Sequence, residues 1–168
     1  MSQRSLFAEV NKDLKHFLCP FRLGMQHSAA GTTEYAEGIK TNWPIVVASG
    51  QLIPGNYDNL QLSKGGLKVP IITAATFLSN QLTVQWSYNA VNPCGKNNPD
   101  DIVVVVAAHR DSSGHFDMQA FSTTAARSEE RASIVLPTDI DLTPGNYAVY
   151  AFAYNDTDAS ATSYHVGE

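Results

Sequence analysis

Residues 142–156 read LTPGNYAVYAFAYND. The segment Thr143-Pro-Gly-Asn146 has turn composition, and a strand starts at Tyr147. Alternation places Tyr147, Val149, Ala151 and Ala153 on one face of that strand and Tyr150, Phe152 and Tyr154 on the other. Both faces are therefore apolar. A second stretch, DIVVVVAAH at 101–109, repeats the pattern, with Ile102, Val104 and Val106 on one side and Val103, Val105 and Ala107 on the other. A sheet that faces water alternates apolar with polar residues. An apolar face as wide as this one is not left bare on a soluble protein. Two covers are required.

The flanking sequence supplies one of them. QLTVQWSYN (81–89) sets Leu82, Val84, Trp86 and Tyr88 on one face. ASIVLP (132–137) alternates through Ala132, Ile134 and Leu136, and HFDMQAF (115–121) through Phe116, Met118 and Ala120. ATSYHVG (161–167) reads as a last strand. Short strands separated by Asn, Pro, Gly and Asp turns predict an antiparallel sandwich from about residue 68 onward.

The second cover is sought upstream. SLFAEVNKDLKHFL (5–18) carries Leu6, Phe7, Val10, Leu14, Phe17 and Leu18 on one helical face, ahead of Pro20 as a stop. A further helix is predicted over 32–42, with Thr32 as cap and Pro44 as stop, and Gly38 weakens it. GQLIPGNYDN (50–59) reads as a connection between short strands. The expected class is α+β to mainly β: amphipathic helices and short strands over 1–67, packed on a seven-stranded antiparallel sandwich over 68–168. The face expected under the helix, or under a neighbouring subunit, comprises Tyr150, Phe152, Tyr154, Val103 and Val105.

Leu142-Thr-Pro-Gly-Asn-Tyr147 resembles the tyrosine corner of fibronectin type III domains, LTVQWS resembles their strand B with its core tryptophan at Trp86, and Pro70 resembles the start of strand A. The resemblance implies an Ig/fibronectin-III-like sandwich and, by itself, no function. Through QRSLFAEVNKDLKHFL, EYAEGIKTNWP, LQLSKGGL, LTVQWS, DDIVVVVAAH and SYHVG, the whole chain also resembles a family of uncharacterised bacterial proteins, a domain of unknown function. Members of that family usually begin with an additional glycine-rich basic segment. The family implies no site residues.

The net charge of −5 argues against nucleic acid as a partner. Residues 1–70 hold seven Lys/Arg and five Asp/Glu, a balance of +2, whereas residues 71–168 hold four and eleven, a balance of −7. That asymmetry is compatible with a head-to-tail contact. No apolar run is long enough to span a bilayer, and Glu9 and Asp13 fall where an export signal would be apolar. The expectation is a soluble protein, at a cell or virion surface or elsewhere. Cys19 and Cys94 match no zinc spacing, and whether they pair is open.

Chemistry is sparse. HRDSSGHFD places His109 and His115 near one another, and Asp139 and Asp141 belong to the same end of a sandwich. His and carboxylate together could hold a metal. A plain hairpin around Asp111–Gly114 accounts for the segment better, so no metal and no cofactor are expected. At the other end, three loops (89–101, 122–131 and 155–161) offer Asn97, Asn98, Asp100, Asp101, Arg127, Asp156 and Asp158 for ligand binding. The sequence has no nucleophile elbow and no phosphate loop. The leading expectation is a non-enzymatic structural or protein-interaction module within a larger assembly, through protein partners or self-association. A carbohydrate- or other ligand-binding module using the loop end comes second, and a metal-dependent hydrolase third.

Overall fold

The computed structural model describes residues 2–89 and 95–168. The chain opens on helix α1 (Gln3–Leu14), whose N-cap Ser2 accepts a hydrogen bond from the Ser5 N–H. A single 3-10 turn at Lys15–Phe17 re-aims the chain into α2 (Leu18–Gly24). Pro20 therefore stops no helix. It lies in the first turn of α2, where its missing N–H would have had no intrahelical partner. Helix α3 (Glu34–Val46) is capped by Thr33, one residue later than expected, and continues through Pro44. A two-stranded hairpin follows, β1 (Val47–Ala48) with β2 (Gln51–Leu52). Ser49 (φ 51°) and Gly50 (φ 71°) form its turn, both left-handed, which matches the twist of a two-residue hairpin. A 3-10 segment, Pro54–Asn59, closes the region.

The sandwich consists of β3 (Ile72–Leu78), β4 (Gln81–Trp86), β5 (Ile102–His109), β6 (Phe121–Ala126), β7 (Arg131–Val135), β8 (Tyr147–Tyr154) and β9 (Ser163–Val166). One sheet has the order β3-β4-β7 and the other β6-β5-β8-β9, and every pairing is antiparallel. This is a fibronectin-III-like arrangement. The hairpin β1–β2 raises the strand count among the described residues to nine, two more than the sandwich alone requires.

Strand β6 lies later in the chain than the alternation of HFDMQAF suggests, and it occupies part of the expected 122–131 loop. The reason is tertiary. Phe116 is 3% exposed and meets the Phe17 ring edge-on at 4.7 Å. That packing draws 111–120 out of the sheet, and FSTTAA pairs with β5 in its place.

The tyrosine corner is present: the Tyr147 hydroxyl donates to the Asp141 carbonyl at 2.5 Å. It fixes the phase of β8, and β8 fixes the phase of β5 by direct opposition. His109 pairs with Tyr147, Val106 with Tyr150 and Val104 with Phe152. Opposed residues share a face. Tyr147, Val149, Ala151 and Ala153 thus join Val103, Val105 and Ala107 in the core between the sheets, with Leu82, Val84 and Trp86. Val103 and Val105 were expected on the opposite face. An unbroken valine run carries no alternation from which its phase could be read, and the pairing places them inside.

The other face of β5 and β8 presents Val104, Val106, Ala108, Tyr150 and Phe152 to a second core built with Val10, Leu14, Phe17, Phe21 and Met25. The molecule therefore has three layers: helices, four-stranded sheet and three-stranded sheet. The Tyr150 hydroxyl donates to the Tyr57 carbonyl at 2.6 Å, tying the sheet to the 3-10 segment. Tyr154 is half-buried. Phe7, expected in the buried stripe, is 51% exposed.

Gly38 explains how α2 and α3 approach so closely. A Cβ at this position would lie 2.6 Å from Cδ1 of Phe21, whose ring is fully buried. On helix propensity alone, Gly38→Ala would stabilise α3 by about 1 kcal/mol. Here the displaced ring reverses the sign, and urea unfolding is expected to show a net loss of stability. Tyr147→Phe removes one hydrogen bond and is expected to cost roughly 1 kcal/mol in the same assay.

Candidate functional site

The loop end is mostly braced inward. Asp101 and Arg127 are each 2% exposed and lie 3.3 Å apart as an ion pair. Asp101 also accepts from the Asn98 N–H and from the Asn155 side chain, while the Arg127 carbonyl accepts from the Trp86 indole at 2.9 Å. Asn97 is buried and donates to the Asn89 carbonyl. The Asp158 carboxylate accepts from the Gly66 and Ala159 N–H groups, which stitches the 155–161 loop to the Gly65-Gly66 turn. The Asn98 side chain donates to the Gly95 carbonyl. Asp100 and Asp156 are exposed. Asp101 and Asn97 are thus hydrogen-bonded within the fold, whereas Arg127 is paired with Asp101 by charge while its Nε and Nη2 have no hydrogen-bond partner among the described residues. Cys19 is an exposed free thiol, and Cys94 lies outside the described residues.

The histidines are separated. His109, at the end of β5, has Nδ1 2.7 Å from Asp117 and Nε2 2.9 Å from Asp141, so both ring nitrogens are engaged. Asp141 additionally accepts from the Thr143 N–H and the Asn146 side chain. Burial pushes the His109 pKa down, but the hydrogen bonds and charges of Asp117 and Asp141 outweigh it and leave a net upward shift from 6.5. The His109 hydrogen bond, followed by those of Thr143 and Asn146, holds Asp141 well below the usual carboxylate range. Asp139 is exposed and takes no part in this cluster.

His115 belongs to a different cluster. Its Nδ1 lies 2.7 Å from the carboxylate of Asp13, a residue of α1 that is only 1% exposed. The same oxygen accepts a short hydrogen bond from the Tyr57 hydroxyl. Burial, then the Asp13 hydrogen bond, raises the Tyr57 pKa far above its ordinary value. Asp13 thereby joins three segments that are remote in sequence. The His115 side chain borders an open cleft of about 560 Å³, shared with Lys12, His16, Phe116 and Asp117. The set His109, His115, Asp139 and Asp141 is therefore not brought together. Asp13 and Tyr57 were not singled out from sequence, because a polar residue beside a helical stripe and a tyrosine within a turn give no local sign of pairing.

A third feature stands apart in chemistry. Between α1 and α3 lies an apolar groove of about 450 Å³, lined by Phe7, Tyr35, Ile39, Trp43 and Pro44, with Lys40 at its side. The Phe7 and Trp43 rings stack, with centroids 6.4 Å apart. Ala36 completes the lining.

No family model and no curated protein matches the chain. Among solved structures it is similar to the FN1–FN3 domains of chicken CNTN1, at 14% identity and a TM-score of 0.39, over 63% of this chain and 34% of that one. The chain thus spans about a third of the length of that structure.

The His109 cluster generates a pH dependence. A raised folded pKa contributes stability that is fully present below 6.5 and lost as pH rises through the higher folded value. Asp141 contributes in the opposite sense: its stabilisation is present above 3.8 and lost as pH falls through its depressed folded value. Unfolding free energy is therefore expected to fall on raising the pH from 6 past the folded value of His109. His109→Gln should abolish that step and also weaken the acid limb, because the His109 hydrogen bond is the largest cause of the Asp141 depression.

Proposed function

We propose that this chain is a non-enzymatic protein-interaction module that works as part of a larger assembly, and that it meets its partner through the groove between α1 and α3. The observation that carries this reading is the exposure of Phe7 beside Trp43 in a molecule whose other aromatic stripe residue, Phe17, is fully buried. Aromatic side chains gathered in a concavity are a common composition for the centre of a protein interface. The two histidines support the same reading. His109 has both nitrogens committed to a structural corner, and His115 shares its carboxylate with Tyr57 as a brace between layers. The apolar face of β5 and β8, the earlier candidate for a contact, is occupied by the protein's own helices, which supports looking to the groove instead. The resemblance to uncharacterised bacterial proteins is part of this reading and assigns no activity.

Two measurements test it. Placing benzoylphenylalanine at Phe7 and irradiating cells that make the chain should yield a protein–protein crosslink. The same probe at the buried Phe116 should yield none. Equal yields at both positions, or no crosslink at Phe7, would count against the groove. A screen against esters, phosphate esters and glycosides, with and without divalent metal, should show no turnover. Turnover that His115→Ala abolishes would overturn the non-enzymatic reading.

A further inference from the structure

We infer that the groove's partner is a second copy of this chain, docked head to tail through an apolar patch on the three-stranded sheet. The inference rests on the reading of the groove as an interaction site and names its occupant. Leu78 and Val135 are 80% and 69% exposed. Both oppose Gln81 of the central strand, Leu78 from β3 and Val135 from β7, so the three form one row across the outer face. The neighbouring rows of that face, Thr76–Thr83–Ser133 and Ala74–Gln85–Arg131, are largely polar. The two bare aliphatic side chains therefore form a local projection on a face that otherwise alternates as a solvated sheet does.

Charge identifies the counterpart. All seven Lys/Arg of residues 1–70 are exposed, whereas two of the five acids there, Asp13 and Glu37, are buried. The exposed charge of residues 1–70 is accordingly more basic than their composition suggests, and Lys40, 3.9 Å from Glu37, lines the groove itself. Two acids follow or flank the strands that carry the patch, and Arg131 lies two rows away on the same face. Asp139 lies on the connection just past Val135, and Glu168 exchanges backbone hydrogen bonds with Ala75 and Phe77 along β3. An apolar projection on the acidic part of the chain suits an apolar groove with Lys40 at its side.

Position decides the symmetry. The groove belongs to the helical layer and the patch to the three-stranded sheet, with the four-stranded sheet between those layers. Joining one to the other gives a heterologous contact, in which each copy keeps a free groove at one end and a free patch at the other. Such contacts close into a ring or continue as a filament.

The test is sedimentation velocity of the full chain over rising concentration. Wild type is expected to form species larger than a dimer, and to shrink as salt is raised. Phe7→Asp and Leu78→Asp alter exposed side chains and should each give folded monomers, with unchanged circular dichroism. Mixed in equal amounts, the two variants should form a one-to-one dimer and nothing larger, because a single intact groove then meets a single intact patch. If Phe7→Asp is monomeric but Leu78→Asp assembles like wild type, copies do not meet through the patch; the head-to-tail inference fails and the groove reading stands. If wild type is monomeric at every concentration while the Phe7 crosslink captures another protein, the inference again fails alone. If wild type assembles and both variants do so equally well, groove and patch fail together.

Discussion

Strands β5 and β8 carry apolar side chains on both faces, and neither face can be left to water. One side is met by the three-stranded sheet, as in any sandwich. The other needs a cover that a seven-stranded sandwich does not contain, and α1, α2, α3 and the Pro54–Asn59 segment supply it. Burying a single large apolar side chain is worth about 1.5–3 kcal/mol. The ring of Phe17, which meets both Phe116 and Tyr150 edge-on, is at the centre of that contact. The helices have no core of their own apart from this face, so the two parts of the chain share one interior.

Polar groups specify how the layers sit on one another. Tyr150 reaches through the apolar layer to the carbonyl of Tyr57, and Tyr57 and His115 converge on the single carboxylate of Asp13. A buried carboxylate is tolerated only where partners satisfy it. Each of these bonds is lost if the helical layer slides by one turn, which apolar contacts alone would resist less. At the far end of β5, the His109–Asp117–Asp141 cluster does comparable work, locking the corner on which the phase of β8 depends.

What could be read from sequence follows the range of the interactions. The corner at Tyr147, the core tryptophan and the alternation of β4 and β7 are local patterns, and each appears where its spacing puts it. The phase of β5 is not local: Val103 to Val106 are chemically identical, and only pairing with β8 assigns their faces. Strand β6 was misplaced because Phe116 is claimed by the helical core, which a two-residue period cannot reveal. The same holds for the polar clusters. Asp101 and Arg127 look like surface loop residues in sequence and are a desolvated pair in space. The groove was hidden because Phe7 falls on the same helical stripe as Val10 and Leu14, and only the angle between α1 and α3 leaves it outside.

The order of synthesis gives the shared interior a kinetic side. The helices emerge from the ribosome before the strands that bury them, β5 and β8, which are made much later. Until then Val10, Leu14, Phe17 and Phe21 have nothing to pack against. Contacts so distant along the chain form slowly, and exposed apolar surface in the interval favours aggregation. A nascent chain of this design depends on whatever shields these helices until β8 has emerged.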